Sequence, residues 1–84
     1  MTRDAEADLQ AMAEFRANLP NIADPVYQVY RACVLSDIDH MEALIQVGMW
    51  EQACEFFSSS TAHYIRRLCD IEAELVQAWH SHEE

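Results

Sequence analysis

One apolar phase constrains this chain more than any other feature. Trp50, Phe57, Tyr64, Ile71 and Ala78 recur every seven residues, and Cys54, Thr61, Leu68 and Leu75 recur on a partner position. A sustained seven-residue repeat marks one seam along one helix. It passes without a shift through "FFSSSTAHY", residues 56–64, a stretch that composition alone would assign to a linker. Two helices joined by a linker have no reason to share a phase. Serine costs a helix only about half a kcal/mol relative to alanine, and Ser58 and Ser59 fall off the seam while Ser60 flanks it. The pattern predicts a single helix over 50–79, about 45 Å long. The competing reading is a break with Ser59 or Ser60 as an N-cap. The tail "HSHEE" reads as frayed.

The rest of the chain is punctuated sparingly. Gly48 is its one glycine, and Pro20 and Pro25 are its two prolines. Hairpins and sandwiches need more turn chemistry than that, so helices are favoured throughout. Ala5, Leu9, Met12, Phe15 and Leu19 step by three and four residues, one face of a helix over 4–19 that Pro20 stops. Asp4, Glu6 and Asp8 suit the positive end of its dipole. Asp24 followed by Pro25 reads as an N-cap with proline in the first turn. A second helix follows over 25–47, with Tyr27, Tyr30, Val34, Ile38, Met41 and Ile45 on one stripe. Ser36 allows a break near position 36. Gly48 supplies the left-handed cap that ends this helix. The expected fold is all-α: one domain, a small antiparallel three-helix bundle whose long C-terminal helix overhangs the first.

At 84 residues the core is small, yet 51% of residues are hydrophobic, more than a lone bundle easily covers. Homodimerisation or a bound partner is therefore in view. The net charge is −10, from 15 acidic and 5 basic residues, and every basic residue is arginine. That balance opposes direct nucleic-acid binding and anionic membranes, and favours basic protein surfaces. Cys33, Cys54 and Cys69 are odd in number and irregularly spaced, which is no disulfide framework. They are expected as small buried apolar residues in a reducing, cytoplasmic setting. "MTRDAEADLQ" has no apolar signal region, and no run approaches a membrane span.

Residues 47–57, "VGMWEQACEFF", resemble the turn and second helix of a tetratricopeptide repeat. Gly48, Trp50, Glu51, Ala53, Phe56 and Phe57 carry the match. Met41, Ser60 and Ile65 depart from the repeat's small-residue, alanine and proline positions, and no second copy is present. The resemblance implies a tight helical hairpin over 38–64 and protein binding.

No chemistry stands out. Asp37 and His40 share a face at the carboxylate-x-x-His spacing of di-iron bundles, but a bundle site needs two such pairs. His80, His82 and the terminal glutamates make a poor zinc cage. Cys54 and His63 lack an oxyanion turn. The expectation is no enzyme, no cofactor and no metal site. What remains is surface. Asp37, Asp39, Glu42, Glu51, Glu55, Asp70 and Glu74 are candidate partner contacts, because carboxylates along a rod imitate phosphate spacing. Phe56 and Trp79 join them as candidate aromatic anchors, since adjacent Phe56 and Phe57 point about 100° apart and one neighbour cannot bury both. Arg67 and Glu74 lie one heptad apart and bear on dimer orientation.

In size, charge and helical class the chain resembles small phage-encoded inhibitors of host defence, the anti-CRISPR and anti-restriction proteins. That resemblance implies a non-catalytic inhibitor occupying a basic, nucleic-acid-binding site of a target protein. The alternative is a helical adaptor or chaperone-like module that grips a partner helix in an apolar groove.

Overall fold

The computed structural model describes residues 4–82, the last two as backbone only. The fold is all-α. Helix α1 spans Ala5–Asn18 and α2 spans Pro25–Gln46. A rod then runs without interruption through α3 (Trp50–Phe56), a π turn (Phe57–Thr61) and α4 (Ala62–His82). Met12 of α1 shares a groove with Met41 and Ile45 near the end of α2, while Leu19 lies beside Tyr27 near its start. The start of α2 in turn meets Leu75 and Trp79 near the end of α4. Each successive helix therefore runs back along the one before, in a molecule 56 × 20 × 20 Å. No helix among the described residues is long and apolar enough to cross a membrane.

Local chemistry accounts for the boundaries. The Asp4 carboxylate accepts from the amides of Glu6 and Ala7, and the Asp24 carboxylate accepts from the Tyr27 amide at 3.0 Å. These side chains satisfy donors that a helix start leaves open. Gly48 sits at φ +80, with its amide on the Ile45 carbonyl and the Met49 amide on the Leu44 carbonyl. That pair of bonds closes α2 and turns the chain sharply into α3. The tight hairpin expected around Gly48 is present. The break allowed near Ser36 is absent: α2 is continuous and Ser36 is exposed. At the far end the helix continues through His82, three residues past the expected end; residues 83 and 84 lie outside the described residues.

The core lies between α2 and α4. Tyr27, Val34, Ile38 and Met41 bury against Leu68 and Ile71. Helix α1 contributes no fully buried residue; Met12, Phe15 and Leu19 cover the core as half-buried side chains. Its apolar stripe stays half in water, so burial holds α1 less than it holds α2.

The long helix is one rod, but its phase is not unbroken. Ala53 is buried where the heptad expects Cys54, which is exposed; Phe57 is exposed while Phe56 turns toward the core. Ala78 is exposed as well. Ala53 and Leu68 are both buried and fifteen residues apart, one more than two heptads. The π turn takes up that extra residue. Cys33 is half-buried and Cys69 exposed, so the expectation of three buried thiols fails. Cysteine's general preference for interiors is weaker than the phase slip that decides where Cys54 points.

Candidate protein-interaction surface

The serine stretch meets α2 from one side. Thr61 is fully buried, and its hydroxyl donates to Asp37 Oδ2 at 3.0 Å; Ser60 donates to the same oxygen at 2.9 Å. Asp37 itself is only 8% exposed. A buried carboxylate needs such donors to offset its lost hydration. Asp37 is thus an internal strut between α2 and the π turn and does not present itself to a partner, contrary to its place among the candidate contacts. The extra residue of the π turn brings Ser60 and Thr61 to it together. Its neighbour His40 does not join it; the His40 ring lies 4.5 Å from that of Phe56. Among the described residues no three histidine, cysteine or acidic side chains gather as a metal-ligand group.

Asp39 and Glu42 have an internal partner too. The Arg16 guanidinium reaches from α1 to Asp39 at 2.6 Å and also binds Glu42. The hydrogen bond to Glu42 holds the Arg16 pKa above its ordinary value, and the bond to Asp39 adds to it. Both acidic candidates that remain on α2 are therefore engaged in tethering α1. On the Arg67–Glu74 flank, the Arg67 guanidinium lies 5.5 Å from the centre of the Tyr30 ring within the same molecule. The neighbouring Tyr30 side chain raises the Arg67 pKa above its ordinary value.

The rod carries the remaining acidic candidates. Glu51, Glu55, Asp70 and Glu74 are all exposed, and among the described residues none of them forms an ion pair. Glu55 follows buried Ala53 by two positions, and Asp70 follows buried Leu68 by two. The π turn that keeps the seam in register therefore also sets Glu55 and Asp70 on the same outward line. Glu51 and Glu74 lie one turn beyond each, so the four form a stripe about 35 Å long. Sequence periodicity misses this alignment, because a strict heptad rotates the two halves against each other.

The aromatic candidates separate. Phe56 is half-buried against the core and the His40 ring, so it closes the bundle. Phe57, which the seam reading placed inside, is 38% exposed and edges a groove of about 320 Å3 with Met12, Met41, Ile45 and Trp50. The Trp50 indole N–H is buried there without an acceptor among the described residues. Trp79 is 63% exposed on the overhang of α4. No family model, curated protein or solved structure matches this chain.

Proposed function

We propose that the chain is a non-catalytic regulator that binds a basic surface of a partner protein through the stripe Glu51, Glu55, Asp70 and Glu74. The supporting observation is the shared fifteen-residue offset of Ala53–Leu68 and Glu55–Asp70, which makes one line from two acidic pairs. Carboxylates spread along about 35 Å of rigid helix match a groove that grips a nucleic-acid backbone better than a single ion-pair site does. The partner is then a protein whose basic groove otherwise holds DNA or RNA, and binding inhibits it by occupation. Three free thiols and a lysine-free surface are compatible with action inside the cell.

The test uses the wild type and a variant with Glu51→Gln, Glu55→Gln, Asp70→Asn and Glu74→Gln. Proteins retained from lysate are identified, and the leading candidate is purified. Its binding to a labelled duplex is followed by fluorescence anisotropy. Wild-type protein is expected to release the duplex, with an apparent affinity that falls steeply as salt rises. The neutralised variant should lose that effect. A partner that holds duplex and this protein together, or that the neutralised variant displaces equally well, overturns the proposal.

A further inference from the structure

A second surface lies about 140° around α4 from the acidic stripe, the angle that separates Glu74 from Trp79. Helix α1 ends at Asn18, beside the middle of α4, and Pro20 turns the chain away. Beyond that point residues 73–80 of α4, about 12 Å of helix, face the connecting loop and the first turn of α2. Between these elements opens a cleft of about 750 Å3, lined by Ile22, Pro25, Leu75, Val76 and Trp79. Val76 is 50% exposed and Trp79 63%. On the start of α2, Val26 and Val29 are exposed as well. An apolar patch built around an exposed tryptophan is the usual composition of a binding hot spot.

The charge around the cleft selects the occupant. Asp24 stands at its rim, with one carboxylate oxygen capping α2. A smaller cleft on the same helix shares Val76 and His80 and adds Glu72. No arginine lines either cleft. A second copy of this chain carries a net charge of −10 and is repelled by a rim that is already acidic. We propose that this cleft seats an amphipathic helix of another protein, with apolar side chains against Val76 and Trp79 and lysine or arginine flanking them. The surface is independent of the acidic stripe, and either holds without the other.

The probe is a synthetic amphipathic helix of leucine and lysine without tryptophan, with a leucine–glutamate helix as control. Binding is read by calorimetry and by a blue shift of tryptophan emission that Trp79→Ala removes, since Trp50 emits as well. The lysine peptide is expected to bind saturably and the glutamate peptide not at all. Val76→Asp separates cleft docking from general attraction, because it adds a negative charge yet places it against the apolar face. It should weaken binding about tenfold, and Trp79→Ala should do the same with helicity unchanged. Neutralising Glu51, Glu55, Asp70 and Glu74 should leave this binding in place, so failure of one surface is distinguishable from failure of the other. Equal or tighter binding by Val76→Asp and Trp79→Ala overturns the proposal. So does a concentration-dependent dimer of the wild type that Trp79→Ala abolishes, which assigns the cleft to a second copy.

Discussion

Replacing Thr61 by valine isolates the hydrogen bonds that fasten the π turn to α2. The side chain is fully buried, so valine keeps its shape and removes only the hydroxyl. Asp37 then keeps Ser60 as donor at 2.9 Å and loses Thr61 at 3.0 Å. A hydrogen bond to a carboxylate contributes about 1.5–3 kcal/mol, and a buried acceptor left short costs its desolvation. The new methyl returns under about 1 kcal/mol of apolar burial. The expected net loss is about 2 kcal/mol, against a total near 4–12 kcal/mol for a chain of this length. Urea titration followed by far-ultraviolet circular dichroism reads it as a lower midpoint at unchanged slope. In heating, Tm should fall by roughly 8–16 °C. The decisive comparison is the same substitution in an Asp37→Leu background, where the hydroxyl has no carboxylate to serve. There Thr61→Val should cost little or nothing. An equal cost in both backgrounds, or a loss in the wild type below about 0.5 kcal/mol, refutes the reasoning.

Arg16→Ala should release α1 at a cost of up to about 1 kcal/mol, because the pairs it breaks are partly solvated; hydrogen exchange should accelerate in α1 before α2. Tyr27 carries a pH signature. Burial raises its pKa above the ordinary value of 10.0, so the unfolded phenol ionises first. Stability from this group is full below about pH 10 and declines as pH rises further. Tyr27→Phe gives up the hydrogen bond to the Pro20 carbonyl at 3.3 Å and lowers neutral stability, yet it should flatten the alkaline decline in urea midpoints. Deleting exposed Ser58 should convert the π turn to α-helix and leave Ala53 and Leu68 two heptads apart. The shortened chain should still melt cooperatively, and an unfolded product contradicts the one-residue account of the turn.

The helices were readable because their signals are local. Asp24-Pro25 and Gly48 bind neighbouring backbone, and the α2 stripe depends only on three- and four-residue spacing. The long helix was readable for the same reason, with one exception. A heptad extrapolated across the serines assumes a constant number of residues per turn, and the π turn adds one. That single residue reassigns Ala53, Cys54 and Phe57 together, since the first two precede the turn and Phe57 opens it. The candidate contacts divide by range. Exposed Glu51, Glu55, Asp70 and Glu74 follow from amphipathicity alone. Asp37, Asp39 and Glu42 required knowing that Thr61 stands 24 positions from Asp37 and Arg16 reaches 26 positions to Glu42. No spacing rule contains those distances.

The same residue links stability to the proposed binding face. Serines and a threonine suit a π turn that must admit a carboxylate, because they are small and their hydroxyls donate. An alanine helix through 58–61 would leave Asp37 without donors and a void where the Thr61 side chain is buried. Once the turn is fixed, the seam on α4 is rotated to meet α2, and the acids on the opposite side rotate with it. Selection for a buried Asp37 and selection for an outward line of carboxylates would therefore act on one structural variable, the number of residues between Ala53 and Leu68. A chain with the serine stretch one residue shorter and Asp37 replaced by leucine should keep both faces in register, because the deletion closes the turn without rotating either half. A chain one residue longer at the same place should not: Glu51 and Glu55 would turn about 100° away from Asp70 and Glu74. In the duplex-release assay the shorter chain should retain activity and the longer one lose it, with helicity preserved in both.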